Sequence, residues 1–178
     1  DRLLEMRLNF YLRGLNKTED PKAENELVGP NGEIVGRVKN GRPKFFPDYY
    51  VIPMSLDKDN DAQEAFNMID YFKRNGVLVK ELKEDIGNYK KGDLVIDMAQ
   101  AKRGYANHIL YKGSNESAWA AMYAELLVNF PDMRGFKSEP VFADGLFNGK
   151  LGEVTTTRAT RTSEIDPKAP YYVIANTS

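Results

Sequence analysis

The chain has 178 residues, of which 42% are hydrophobic, 29% charged and 11% aromatic; this is the size and composition of one globular domain with an appended piece. Its 25 Lys and Arg against 26 Asp and Glu leave a net charge of -1, so there is no electrostatic case for gripping a nucleic-acid backbone. No run approaches the roughly 18 apolar residues that a membrane span needs. Cysteine is absent and His108 is the only histidine. That excludes disulfides, thiolate metal sites, Cys nucleophiles and a multi-histidine zinc centre, and any Ser-His-Asp triad would have to use His108.

The first residues read as helix. Leu4, Leu8, Tyr11, Leu12 and Leu15 form one apolar stripe at helical spacing, and Gly14 offers a stop. Charges are scattered through this helix, so it does not resemble a signal peptide. Residues 16–26 are polar and read as a linker. Asn31-Gly32 and Asn40-Gly41 carry hairpin chemistry, because Asn-Gly accepts the positive φ of a tight turn. The clearest unit follows. Tyr49 to Met54 is an apolar run of strand length, and Asp61 with Glu64 fits a capping box. Ala62, Ala65, Phe66, Ile69 and Phe72 trace a helical face, with Lys73 and Arg74 in the last turn and Asn75-Gly76 as the stop. Val77 to Leu82 alternates as a second strand. Short connections of this kind predict a right-handed β-α-β unit with parallel strands.

Tyr89-Lys90-Lys91-Gly92 turns the chain into a third strand, Asp93 to Met98. A helix is expected over Ala99–Leu110, and another through Trp119, Met122, Tyr123, Leu126 and Leu127 that Pro131 ends. Residues 135–152, rich in Gly, Phe and turn formers, receive no assignment. Gly152 to Thr160 has strand composition, and the Thr-rich stretch Thr155–Thr162 suits an edge strand protected by Arg. Tyr171-Tyr172-Val173-Ile174 reads as a buried strand that echoes Tyr49-Tyr50-Val51-Ile52; shared β preferences explain so short a match as well as a repeat does. The abrupt strand at the far end and the helix at the start suggest a piece of a longer protein.

Motifs with chemistry are few. Asp57, Asp59 and Asp61 alternate between a strand and a helix, but Ala62 and Met68 stand where a calcium loop needs Gly and Glu, so a capping, solvated loop is favoured. No glycine pattern makes a phosphate cradle. Asp97 to Gly104 places Gln100, Lys102 and Arg103 where a strand ends and a helix begins, a position that suits an anion; a solvated surface turn is the plainer reading. His108 has no metal-ligand partner at helical spacing and reads as an ordinary helical residue.

One resemblance spans about residues 47–135. Pro47-Asp48-Tyr49-Tyr50-Val51-Ile52-Pro53, Asp61-Ala62-Gln63-Glu64-Ala65, Asn75-Gly76-Val77-x-Val79, Gly92-Asp93-Leu94-Val95-Ile96-Asp97-Met98-Ala99-Gln100 and Phe130-Pro131-Asp132 resemble the region that follows the catalytic domain in bacterial zinc carboxypeptidases. There, this region is described as an α/β domain similar to class I glutamine amidotransferases. The resemblance implies a flavodoxin-like α/β fold, a small and mainly parallel sheet flanked by helices. It also implies that residues 1–26 are a connector from an upstream peptidase domain, and that residues 27–178 are a non-catalytic domain cut short at its C-terminal end. Zinc would belong to the upstream domain, since neither its His-x-x-Glu ligands nor an amidotransferase Cys maps onto this chain. The partners would be that domain and a peptide or glycan substrate, in the extracellular space or cell envelope of a bacterium. Because ligands bind outside the carboxyl ends of parallel strands, Ser55, Asp57, Gln100, Lys102 and Arg103 are the expected ligand-binding residues. The rival reading is an independent module that binds an anion or carbohydrate at the same strand ends; a stand-alone metal enzyme using Asp57 or Asp97 ranks last.

Overall fold

The structure, a computed structural model, describes residues 1–18, 31, 43–55, 62–112, 130–155 and 168–171. In chain order the elements are α1 (Arg2–Leu15), β1 (Tyr49–Ile52), α2 (Ala62–Arg74), β2 (Lys80–Leu82), β3 (Leu94–Asp97), α3 (Arg103–Leu110), α4 (Phe130–Arg134), β4 (Glu139–Val141) and β5 (Leu151–Gly152). Apart from Asn31, the expected hairpins at Asn31-Gly32 and Asn40-Gly41 lie outside the described residues, as do the Asp57–Asp61 loop and the Trp119 helix; of the expected buried strand Tyr171–Ile174 only Tyr171 is described, and it is exposed and in no strand.

The parallel, flavodoxin-like sheet is overturned. The five strands lie in the order β4-β1-β3-β2-β5, and every neighbouring pair is antiparallel. The crossover from β1 through α2 does return β2 in the same direction as β1, because both run opposite to β3. They are not neighbours, however: β3 is inserted between them. The passage from β3 to β4 repeats the device, with β1 in the gap. Two interlocked split β-α-β crossovers with strand order 4-1-3-2 make the ferredoxin-like arrangement, and here β5 is added beyond β2.

The misleading signal was the unbroken apolar character of β1 and β3. Such runs are typical of parallel strands buried on both faces. Here an antiparallel sheet is also covered on both faces. Tyr50, Ile52, Leu94 and Ile96 face α2 and α3 and pack with Ala65, Met68, Ile69, Phe72, Ala106 and Leu110. Tyr49, Val51, Val95 and Leu82 face the other way, under Phe147, Leu146, Ile86 and Tyr89. The register sets each face: Tyr50 lies opposite Ile96 and Ile52 opposite Leu94, whereas Val51 lies opposite Val95. The second cover comes from residues 144–150, the stretch whose composition gave no assignment, with Phe147 edge-on to both Tyr49 and Tyr89 at centroid distances of 4.9 and 5.4 Å.

Helix α2 forms as its apolar spacing dictates. Ala62, Ala65, Met68, Ile69 and Phe72 are buried, and the Asn75-Gly76 stop is a Schellman turn. Val77 N–H reaches Phe72 O at 2.9 Å, and Gly76 N–H reaches Lys73 O at 3.1 Å with Gly76 at φ 73°. Helix α3 starts four residues later than expected, at Arg103. The Asp97 carboxylate accepts from Ala99 N–H at 2.8 Å, and the Gln100 amide donates back to Asp97 O at 2.6 Å, so residues 98–102 turn rather than coil. Buried polar groups tie the layers together. Tyr50 Oη donates to Asn107 Oδ1 at 2.8 Å, joining β1 to α3, and Asp93 accepts from Met54 N–H and Lys90 N–H at 3.0 and 2.8 Å.

On the outer surface of α2 and α3 the Tyr71 and Tyr105 hydroxyls share a hydrogen bond of 2.8 Å. Burial first, and then this bond to Tyr71, push the Tyr105 phenol up to about 12. A raised phenol pKa favours the neutral, folded state below the unfolded value of about 10. That contribution is lost as pH rises from about 10 to about 12. Absorbance titration near 295 nm should therefore lose a late-titrating tyrosine in Tyr105→Phe, and the fall in stability across that alkaline window should become shallower.

Candidate functional site

The expected ligand site depends on strand ends that point the same way. Because β1 and β3 are antiparallel, their carboxyl ends lie at opposite ends of the sheet, separated by at least the length of β1, roughly 10 Å at ~3.3 Å per residue. Ser55 follows β1 at the end where Met54 N–H meets Asp93. Gln100, Lys102 and Arg103 follow β3 at the other end, where Met98 N–H donates to Asp48 O at 3.0 Å. Ser55 therefore does not join the other three, and Asp57 lies outside the described residues.

Gln100, Lys102 and Arg103 are together, but each is engaged within the chain. Gln100 is buried and grips the extended segment leading into β2: its Oε1 accepts from Leu78 N–H at 2.9 Å, and its Nε2 donates to Leu78 O at 3.2 Å. Gln100→Ala removes these bonds and the one to Asp97. The expected loss is about 1–3 kcal/mol, since buried backbone groups are left short of partners; the midpoint of urea unfolding measures it. Arg103 is also buried. Its guanidinium lies 4.2 Å from the Phe46 ring centroid, and its Nη2 donates to Thr18 O at 2.6 Å. The Lys102 ammonium stands 5.6 Å from the Tyr11 ring centroid. A hydrogen bond from Arg7, with the nearby charges of Lys102 and Arg7, holds the Tyr11 phenol below its usual range.

All of these partners except Phe46, Leu78 and Asp97 belong to α1 or the turn that ends it. Gly14 is the only buried residue of α1. A Cβ built there would come within 2.5 Å of Gln100 O and 3.2 Å of Ala101 O. One turn earlier the Phe10 ring reaches within 3.1 Å of where a Gly104 Cβ would stand. The spacing of glycines, read from sequence as a helix stop at Gly14, instead marks close approach of two backbones. The carbonyl end of α1 thus faces the amino end of α3, and Thr18 O takes the place that an anion would occupy beside Arg103.

A second polar cluster, not foreseen from sequence, lies beside this contact. Asp48 is buried and pairs with Lys44 at 2.6 Å and Lys17 at 3.6 Å. Lys17 Nζ also donates to Asp144 Oδ1 at 2.7 Å and lies 5.2 Å from the Tyr49 ring centroid. Burial works against the Lys17 ammonium, but the bond to Asp144 and the charges of Asp144, Asp97 and Asp48 outweigh it and raise its pKa. Lys17 in turn holds the Asp144 carboxyl below its ordinary value. Lys17, Asp48 and Asp144 are far apart in sequence, so no local pattern announces their meeting.

His108 is exposed on α3. Among the described residues no group of three or more His, Asp or Glu is placed to hold a metal ion, and no helix is long and apolar enough to cross a membrane. The chain matches no protein-family model, no curated protein and no solved structure.

Proposed function

We propose that this chain is a non-catalytic domain that packs on, or shapes substrate access to, a zinc-carboxypeptidase-like peptidase domain upstream in the same polypeptide. The sequence resemblance over residues 47–135 supports this reading through its motifs, without the parallel fold that came with it. The observation that carries it is the state of α1. Its Gly14 face is seated on Gln100 and Ala101, in the turn before α3, while Leu3, Leu4, Met6, Leu8, Phe10, Leu12 and Leu15 remain 42–72% exposed. An apolar surface of that kind marks an interaction site, and a peptidase domain of the same polypeptide is its natural occupant in this reading. Zinc, by the same reading, is held upstream. This chain offers one His and no Cys, so a zinc site within it would have to be built on carboxylates. Export to the cell envelope or beyond belongs to the same proposal.

The alternative, an independent module for an anion or carbohydrate, would need Gln100, Lys102 and Arg103 released from Leu78, Tyr11 and Thr18. The test is peptidase activity with added zinc, measured side by side on this chain and on a longer polypeptide that contains it. Activity only in the longer polypeptide is expected. Activity in this chain alone would contradict the proposal.

A further inference from the structure

We propose that α1 is a strap that docks and undocks as one unit, with Lys17 as its latch. Four features of the helix and the turn that ends it point this way. First, the turn is a Schellman motif: Thr18 N–H donates to Arg13 O at 2.9 Å and Lys17 N–H to Gly14 O at 3.2 Å. Second, the left-handed position, taken by Gly76 in the equivalent turn of α2, is taken here by Lys17 at φ 51°. Lys17 is the only residue other than glycine with positive φ among the described residues. A β-carbon is disfavoured there, so the backbone is strained at the residue whose side chain makes the connection. Third, that side chain carries its ammonium to Asp144 and Asp48 over the Tyr49 ring. Fourth, Gly14 is the one buried residue of the helix, and among the described residues its other ties include the Phe10 contact with Gly104, the Lys102–Tyr11 contact and the Arg103 bond to Thr18 O.

A helix of this length is marginal alone in water. Undocked α1 therefore loses its helical hydrogen bonds, and undocking is visible as hydrogen exchange at its amides. Breaking the latch frees the Arg103 guanidinium from Thr18 and uncovers the backbone of Gln100 and Ala101.

The experiment is hydrogen exchange of the whole chain with mass detection, on wild type, Lys17→Met, Lys17→Gly and Asp144→Asn, at low and at 1 M salt. In Lys17→Met and Asp144→Asn, α1 amides should exchange roughly threefold to tenfold faster, the range that loss of one or two such ion pairs produces. Amides of β1 and β3 should stay as in wild type. High salt should accelerate α1 in wild type and leave Lys17→Met unchanged, because screening has no latch left to weaken. Lys17→Gly is the decisive variant, since it relieves the backbone strain while removing the ammonium; it should also accelerate α1. Slower exchange in Lys17→Gly would mean that the turn and not the ammonium governs docking, and would overturn the proposal. So would α1 exchange that is unprotected in wild type, or that changes only together with β1 and β3.

Discussion

Phe147→Ala should lower the unfolding free energy by about 3–5 kcal/mol, the range for emptying a fully buried aromatic site. Phe147 has no exposed surface. It sits against Tyr49 and Tyr89 on the sheet face opposite the helices, with Val51, Leu82, Val95 and Val141 around it. The cavity would open beside Tyr49, whose phenol is already raised, first by burial and then by the nearby Asp97 charge. Urea unfolding measures the loss. A change below about 1 kcal/mol, the size of a surface substitution, would mean that residues 144–150 do not cover the sheet and that its second face is open to water.

Gly14→Ala should undock α1 even though it makes a better helix. In an exposed helix the exchange of Gly for Ala gains about 1 kcal/mol. In the docked helix the new methyl would meet the backbone oxygen of Gln100 at 2.5 Å, with Ala101 O at 3.2 Å. Neither neighbour is a flexible side-chain tip, so the helix must lift. The expected net cost is about 1–3 kcal/mol, typical of overpacking. The opposite signs make the variant informative. Stabilisation with unchanged exchange in α3 would place α1 away from Gln100 and remove the reason why the anion position beside Arg103 is filled.

Local structure was legible where a local rule governs it. The apolar spacing of α2, its Asn75-Gly76 stop and the strand at Leu94–Asp97 were read correctly because periodicity and a glycine φ decide them. Strand pairing was not, because it is decided by what covers each face. Tyr49 to Ile52 is buried throughout, which is equally true of a parallel strand between two helical layers. The distinguishing cover came from residues 139–152, where β4, the Phe147 turn and β5 are short and rich in turn formers. One hint was available within β2. Glu81 is buried, and a buried acid needs partners; they include Lys83 Nζ at 3.3 Å and, just past β5, the Thr155 N–H at 2.6 Å and hydroxyl at 3.0 Å.

The candidate site failed to assemble for the same reason. Ser55 and Gln100 share an end only if β1 and β3 are parallel. Of the expected residues, Gln100, Lys102 and Arg103 do share an end. What sequence could not show was that α1 brings a carbonyl and an aromatic ring to them. Gly14 and Gly104 were the available signals: Gly14 faces the backbone of Gln100 and Ala101 just before α3, and Gly104 on α3 faces the Phe10 ring of α1.

The most direct measurement of whether α1 fills this end of the sheet is a nuclear Overhauser spectrum of the full chain, read between the Phe10 ring and the Gly104 α-protons. Cross-peaks are expected, with the Gly104 α-protons shifted by the Phe10 ring current and Gly14 close to Gln100 and Ala101. Absence of these cross-peaks, together with α1 amides that exchange freely, would contradict the docked helix. It would return Lys102 and Arg103 to the role of an open anion site.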